Sequence, residues 1–363
     1  DIEAHLHGGL PAHDIELMDD YWAACPSLRE HLFEEKTNGY YSLKPAKEEI
    51  SSTIEQDPSY MSQGEAFSSV LKEWAEEVKP KLLAVHQGAH PKELITDWSA
   101  SLLDKVKGHS GLVDAYDTYD VLLNYWAESM QDDCYMISND GWTYPEVKAI
   151  KRKETKDKKT NTIKVKDSVC MYDEIVCDLL PVPIVLNEYF TDEMSVISDL
   201  IVQIDSKQSA MSELVEQYID VFSFDVDDEK DEKALNIKAA DVKRLIKNAK
   251  LEGKSAADVK ILKLWLSLSK EKGTLSTKLK KKRQELTVAV VKKYDELTEE
   301  EIKMLVVEKK WLTTIVGSCE ALMQSITHRI ATEITALAER YQNTMPELQQ
   351  DVANYEHEVN TYL

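Results

Sequence analysis

The sequence predicts a mainly α protein, in which a helical domain with a small β-hairpin or sheet element is followed by long antiparallel coiled-coil-like helices. Apolar residues recur at spacings of three and four along most of the chain, which is the period of an amphipathic helix. The 363 residues include only 11 Gly and 10 Pro, a composition that favours helices over a turn-rich β protein. Alternation with a period of two, typical of strands, is confined to one stretch near residues 145–170.

The first 140 residues predict a series of helices separated by prolines. A helix is predicted over 14–24, and Cys25-Pro26 ends it because the residue before a proline disfavours helical geometry. Further helices, each marked by apolar residues three and four apart, are predicted over 65–78 (ended by Pro80), 91–106 and 116–130.

A β-hairpin is predicted at about 145–170. Ile163 and Val165 alternate with Lys164 and Lys166, and the polar segment KDKKTN before them has the composition of a turn. The stretch Leu180-Pro181-Val182-Pro183 then predicts a stiff linker. We therefore expect a mixed, mostly helical region over 1–180 and a long-helix bundle or coiled-coil region for subunit assembly over 184–363.

The late helices carry apolar rows that need a partner helix, either from this chain or from another subunit. The rows follow heptad-like steps of three and four residues, so each row covers one side of its helix. The candidate seam residues are Ile197, Ile201, Ile204, Met211, Leu312, Ile315, Leu322, Ile326, Leu348, Val352, Tyr355 and Val359.

Charge is distributed unevenly along the chain. The formal net charge is −22, yet Lys and Arg outnumber Asp and Glu by eight to two in residues 151–166 and by seventeen to five in residues 238–293. An acidic protein repels nucleic acid as a whole, but local basic stretches can still contact phosphates; alternatively, both stretches are solvated surface. The candidate DNA-phosphate contacts are Lys151, Arg152, Lys153, Lys156, Lys158, Lys159, Lys278, Lys280, Lys281, Lys282 and Arg283.

Several function classes find no support in the sequence. The five cysteines contain no Cys-x-x-Cys pair, which indicates neither a zinc site nor a disulfide framework and is typical of a reducing cytoplasm. No apolar run approaches the roughly 18 residues of a membrane span, and no signal peptide opens the chain. No Gly-x-Ser-x-Gly element is present.

The stretch HLHGGLPAHD, residues 5–14, is the most unusual local pattern and has three interpretations. A metal site on a helix would need ligands four residues apart, and a phosphate-binding loop would need a preceding strand and a different glycine spacing. A glycine-containing turn between two helices is therefore favoured. An enzyme that uses His5, His7 and His13 with Asp14 remains an alternative.

Five stretches, taken in order, resemble the modification (DNA methyltransferase) subunit of type I restriction–modification systems. The first, HLHGGLPAHDIELMDDYWAACPSLREHLF, is similar to the segment that follows the catalytic domain in that family, and the second, DTYDVLLNYWAESMQDDCYMI, is similar to its Tyr-Trp-Ala-Glu stretch. The remaining three are the DLLP turn before NEYF, the ILKLWLSL helix and LTEEEIKMLVVEKKWL. The resemblance therefore extends from one end of the chain to the other.

The catalytic motifs of that family are absent from this chain. No Asn-Pro-Pro-aromatic loop and no Gly-x-Gly element for S-adenosylmethionine occur. The resemblance thus implies the C-terminal portion of a modification subunit, cut after its methyl-transfer domain. We expect no catalytic, cofactor-binding or metal-binding residues here and no activity of this fragment alone.

The resemblance also implies a parent activity, partners and a location. The parent enzyme transfers a methyl group from S-adenosylmethionine to adenine in DNA, in the bacterial cytoplasm. The implied partners are the specificity subunit, the restriction subunit and duplex DNA, without a membrane. The alternative is a helical scaffold or interaction protein with no nucleic-acid role.

Overall fold

The computed structural model confirms the predicted fold class, because helices account for most of the chain and the strands are few and short. The described residues are 9–37, 39–109, 111–144, 147–148, 150–156, 163–169, 171–222, 237–251, 255–342, 349–355 and 359. The chain divides into two compact units: Asp1–Thr143 with Glu299–Leu363 form the first, and Tyr144–Thr298 form the second.

This division differs from the expected boundary at residues 180–184. The late apolar row of Ile326, Ile330 and Ile334 packs in the same core as Leu28 and Ile54, so the last part of the chain belongs with the first. The apolar area that this row buries against the N-terminal helices stabilises the first unit. Nearness in sequence therefore does not decide which unit the last long helix joins.

The first unit is built mainly from helices, and one apolar core joins its N-terminal helices to the C-terminal half of its last long helix. In chain order they are α1 (Ala12–Glu16), α2 (Asp19–Ala24), α3 (Pro26–Leu32), α4 (Ile50–Gln56), α5 (Pro58–Leu83), α6 (Pro91–Lys107), α7 (Ala115–Tyr125), α8 (Gln131–Asp140), α14 (Glu299–Met304) and α15 (Thr313–Arg340). Helices α9–α13 lie in the second unit. Two π-helical segments, Trp126–Met130 and Leu305–Leu312, continue directly into α8 and α15.

A small three-stranded antiparallel sheet in the first unit was missed by the sequence analysis. Its order is β1 (Leu10–Pro11), β3 (Tyr40–Leu43) and β2 (Phe33–Thr37). Gly9 therefore precedes a short strand, Leu10–Pro11, where a turn between two helices was expected. A Cβ at Gly9 would lie 3.1 Å from the Cβ of Tyr40, so glycine allows β3 to approach closely.

Three of the four helices predicted in this region have other boundaries than expected. The one predicted over 65–78 begins at Pro58, and the one predicted over 116–130 begins at Ala115 and continues through the π-helical segment into α8. The helix expected over 14–24 is interrupted at 17–18, where the indole Nε1 of Trp22 donates to the carbonyl oxygen of Ile15 at 2.7 Å. Helix α5 continues past Pro80 to Leu83. Pro80 removes one N–H from the helix, and the burial of Val78 and Leu82 on either side of it favours continuation of the helix. The helix predicted over 91–106 is confirmed as α6.

The second unit contains the predicted β-hairpin and the longest helix of the described residues. β4 (Ile150–Lys156) and β5 (Ile163–Val169) pair antiparallel. The helices are α9 (Val182–Tyr189), α10 (Thr191–Gln217), α11 (Ile219–Phe222), α12 (Ala239–Leu251) and α13 (Ala256–Glu296). Ser255 begins α13 by accepting a hydrogen bond from the backbone N–H of Ala257 at 3.1 Å.

α10 and α13 form an antiparallel pair. Lys207 of α10 forms an ion pair with Glu271 of α13 at 2.8 Å, and Val196 lines a groove with Leu286, closer to the start of α10 and the end of α13. A second core at the other end of the pair joins Met211, Phe222, Val242, Leu262 and Trp265. The predicted long antiparallel helices are thus confirmed within this unit.

Among the helices of the described ranges, none has both the length and the apolar character required to cross a bilayer.

Candidate nucleic-acid and subunit interfaces

The second predicted basic stretch lies in the middle of α13. Lys278, Lys280, Lys281 and Lys282 are exposed, whereas Arg283 is half-buried and its Nε has no hydrogen-bond partner among the described residues. Lys281 and Lys282 both lie near Glu285, at 3.7 Å and 2.8 Å. Because adjacent residues on a helix diverge by about 100°, the five cations cannot contact one flat partner together.

The first predicted basic stretch coincides with the β-hairpin. Lys151, Arg152, Lys153 and Lys156 occupy β4, opposite Ser168, Asp167, Lys166 and Ile163 of β5. Lys158 and Lys159 lie outside the described residues. The hairpin is therefore present where the sequence placed it, and its backbone register pairs β4 with β5 without a bulge.

The predicted seam of α10 faces α13 within the second unit. Ile197 and Met211 are buried, and Ile201 and Ile204 are half-buried. Leu200, which the predicted seam omitted, is buried as well. The partner of this seam is a helix of the same chain, so the row leaves no continuous apolar surface for another subunit.

The seam of α15 and the segment before it is also covered within the chain. Leu312, Ile315 and Ile326 are buried, and Leu322 is half-buried against the core of the first unit. The hydroxyl of Tyr60 in α5 donates a hydrogen bond to the carbonyl oxygen of Met323 in α15 at 2.6 Å, which joins the two helices. These residues therefore contribute to the fold of the first unit.

The C-terminal apolar row has a different environment. Residues 349–355 are helical, and Val352, Tyr355 and Val359 are 57%, 68% and 57% exposed. Leu348 lies outside the described residues. Steps of three and four place 352, 355 and 359 on one side of a helix. This is the part of the predicted seam that remains uncovered among the described residues.

A buried ion pair joins two stretches that are far apart in sequence. The ammonium of Lys310 lies 2.8 Å and 2.6 Å from the two carboxylate oxygens of Asp133, and the indole N–H of Trp311 donates to Asp133 at 2.8 Å. Burial raises the pKa of the Asp133 carboxyl, and the Lys310 ammonium opposes that rise. Lys310 lies within the π-helical segment Leu305–Leu312, and Asp133 follows the segment Trp126–Met130 by three residues; such segments often occur at functional sites.

This Asp133 cluster (Asp133, Lys310 and Trp311) has the features of a structural contact. Both oxygens of the Asp133 carboxylate accept bonds from the cluster, and the hydroxyl of Tyr125 donates to the carbonyl oxygen of Lys310 at 3.2 Å. The cluster therefore holds α8 against the segment that leads into α15.

A second buried carboxylate, Asp57, begins α5. Its oxygens accept hydrogen bonds from the backbone N–H groups of Ser59 and Tyr60 and from the side chains of Ser27, Ser59 and His31. Burial alone would raise the pKa of the Asp57 carboxyl, but these donors outweigh it and lower the pKa.

The Asp57 group contains the residue types of a hydrolytic triad without its geometry. A triad requires the serine hydroxyl to bond the second ring nitrogen of the histidine, while the aspartate orients the first. Here the hydroxyl of Ser27 donates to the Asp57 carboxylate instead, at 2.9 and 3.0 Å. The arrangement caps a helix and provides no activated nucleophile.

Of the candidate residues in the histidine-rich stretch near the N-terminus, the structure describes His13 and Asp14. His13 Nε2 lies 3.1 Å from Asp14 Oδ1, and the hydroxyl of Tyr341 donates to Asp14 Oδ2 at 2.7 Å. His5 and His7 lie outside the described residues. Within the ranges that the structure describes, no three His, Cys, Asp or Glu side chains are grouped so that they could hold a metal ion.

The described cysteines are all buried: Cys25, Cys134, Cys177 and Cys319. Burial raises the pKa of the Cys25 thiol to about 11 and that of the Cys134 and Cys319 thiols to about 12. These three thiols stay protonated near neutral pH, and the thiolate is the nucleophilic form. They act as small apolar residues of the core.

Comparison with protein-family models, with characterised proteins and with solved structures found no match to this chain.

Proposed function

We propose that this chain is the C-terminal, non-catalytic portion of a type I restriction–modification methyltransferase subunit, and that it serves subunit assembly and DNA contact. The parent would transfer a methyl group from S-adenosylmethionine to adenine in DNA. The observation that carries this proposal is the ordered series of five stretches that resemble the family from residue 5 to residue 312.

The packing of these stretches supports a scaffold role. The second stretch supplies Asp133, and the fifth supplies Lys310 and Trp311, so two stretches of the resemblance meet in one buried ion pair. The first stretch supplies Asp14, which binds the hydroxyl of Tyr341. The residues through which these stretches resemble the family therefore make buried contacts that stabilise the first unit, as a scaffold for subunit assembly requires.

Assembly is supported further by the uncovered C-terminal row of Val352, Tyr355 and Val359. Covering such a row with a partner helix is favourable by roughly 25 cal/mol per Å² of apolar area. The proposed partners are the specificity subunit, whose helices would cover this row, and the restriction subunit. A role in assembly without nucleic acid is the alternative, favoured by the net charge of −22.

Methyl transfer itself is not assigned to these residues. The chain has no Asn-Pro-Pro and no Gly-x-Gly element, and these are the elements with which the proposed parent would hold adenine and S-adenosylmethionine. Both oxygens of the buried carboxylates Asp57 and Asp133 already accept bonds from neighbouring protein groups, which is the pattern of structural contacts.

Sequencing of the coding DNA upstream of Asp1 tests the proposal. We expect the same reading frame to encode an Asn-Pro-Pro-aromatic motif and a Gly-containing cofactor loop within a few hundred codons. A start codon directly before Asp1, or an upstream domain that lacks these motifs, would contradict the proposal.

A further inference from the structure

The outward face of α13 carries a row of lysines. Lys260, Lys263, Lys270, Lys278 and Lys281 are all exposed and are separated by three, seven, eight and three residues. Residues at these spacings lie on one side of a helix. At about 1.5 Å per residue the row extends for about 32 Å, close to one helical turn of duplex DNA. We call these five residues the lysine face.

Neighbouring acidic residues neutralise little of this face. Between Asp258 and Glu285 the helix contains a single acidic residue, Glu271, which forms an ion pair with Lys207 of α10 at 2.8 Å. Of the five lysines, Lys281 is the one with an ion pair among the described residues, to Glu285 at 3.7 Å.

The lysine face opposes helix stability. Lys260 with Lys263 and Lys278 with Lys281 are like-charge pairs three residues apart, which destabilise a helix. Exposed helices usually alternate charge sign along a face. The absence of that alternation over these turns is explained if a polyanion supplies the missing negative charge.

The chemistry of the face distinguishes between classes of polyanion. From the first to the last lysine of the face, the one large apolar side chain that is exposed is Leu264, at 51%; the other exposed positions are Ser, Lys, Glu, Gly and Thr, and Val288, which is 53% exposed, lies beyond the face. A single leucine does not form an apolar patch. A protein partner would require an apolar centre to bury, and single strands require aromatic platforms for stacking. The aromatic residues of α13, Trp265 and Tyr294, are both buried. Phosphates of a duplex need only cations.

We propose that the lysine face binds the phosphate backbone of a DNA duplex without reading its sequence. The choice of DNA as the polyanion rests on the proposed function. The inference assigns the phosphate contacts to one side of α13, whereas the sequence had predicted contacts from all the basic residues of 278–283. Lys280 and Arg283 lie outside the face, and Lys282 contacts Glu285 at 2.8 Å.

The test compares the full chain with the variant K263Q/K270Q/K278Q/K281Q. Anisotropy of a labelled 30-base-pair duplex is measured between 20 and 150 mM salt, since each lost phosphate contact lowers the slope of log affinity against log salt by about 0.9. Four lost contacts would lower the slope by about 3.6. Because the substitutions relieve like-charge pairs, the thermal unfolding midpoint should not fall.

The control K36Q/K72Q/K81Q/K92Q makes the same change in net charge at exposed lysines of the first unit. It should keep the wild-type slope. Equal losses in both variants, an unchanged slope in the first, or tighter binding of single strands would each overturn the inference.

The same variants are mixed with the specificity subunit. Unchanged assembly with unchanged duplex binding refutes the lysine face alone, whereas failure of the wild type to assemble refutes the proposed function.

Discussion

In the first unit, acidic side chains lie inside the core, where Asp57 and Asp133 are 1% and 2% exposed and each is surrounded by donors. In the second unit, charges lie along the surface of two long helices and are separated by sign. α10 carries six acidic residues against one lysine, and α13 carries eleven basic residues against five acidic ones. By sequence, the first unit has 15 basic and 38 acidic residues, whereas the second unit has 29 basic and 28 acidic residues.

This difference indicates where charge stabilises the fold and where it remains available. A buried charge must be fully bonded because its desolvation costs several kcal/mol, so it fixes one arrangement of the chain. A surface charge contributes little to stability and is free to meet a partner. We therefore place structural roles on the buried carboxylates of the first unit and recognition on the lysine face of the second.

The largest expected effect concerns the Asp133 cluster. Lys310→Met leaves the Asp133 carboxylate buried without its cation and should lower the free energy of unfolding of the first unit by about 3–5 kcal/mol. Trp265 is the one tryptophan of the second unit, so urea unfolding followed by tryptophan emission in a W265F background reports the first unit. Lys309→Met, at an exposed neighbour, is the matched control. A loss below 1 kcal/mol would show that the ion pair does not hold this unit together.

A smaller effect is expected at Asp57. Asp57→Ala removes the acceptor that begins α5 and should cost about 2 kcal/mol at neutral pH. The pKa of Asp57 is lower in the folded protein than in the unfolded chain. Its stabilisation is therefore present above the unfolded pKa of about 3.9 and is lost as pH falls through the folded value.

Urea unfolding of wild type and Asp57→Ala between pH 3 and pH 7 measures this dependence. The difference in unfolding free energy should be constant above about pH 5 and should shrink below about pH 4. Asp114→Ala, which removes an exposed acceptor at the start of α7, should cost about 1 kcal/mol and serves as the control. A difference that grows on acidification would refute the assigned direction.

The smallest effects are gains at two glycines inside helices. Gly273 in α13 and Gly317 in α15 have open space around the position of a Cβ. Gly273→Ala should stabilise the second unit and Gly317→Ala the first, each by up to about 1 kcal/mol, because alanine loses less backbone entropy. Hydrogen exchange read by mass spectrometry assigns each gain to its unit. A gain by Gly273→Ala in the first unit would show that the two units do not unfold separately.

Features with a local signal were predictable from the sequence. Helix α6 begins at Pro91 as expected, and the alternation of Ile163 and Val165 with lysines indicated the hairpin. The strand Phe33–Thr37 was missed because its sequence, Phe-Glu-Glu-Lys-Thr, has no alternation of apolar and polar residues. The bend at 17–18 was missed because a tertiary hydrogen bond from Trp22 overrides the helical period.

Features that depend on distant residues could not be predicted. Asp133 and Lys310 are 177 positions apart, and nothing near either residue identifies the other. The segment Leu305–Leu312 contains two adjacent lysines, and the sequence does not show that Lys310 is buried and Lys309 exposed. The lysine face could not be predicted because it depends on one continuous helix from Ala256 to Glu296, which brings lysines as distant as Lys260 and Lys281 onto one side. Composition alone indicated only the basic residues of 278–283.

The most direct test of the account is the assembly of this chain with a specificity subunit, measured as complex mass by light scattering after size-exclusion chromatography. We predict a stable complex that Val352→Asp with Tyr355→Asp weakens at least tenfold, while Leu17→Asp, at an 82% exposed site of the first unit, leaves it unchanged. No complex with the wild-type chain, or equal binding by all three proteins, would contradict the account.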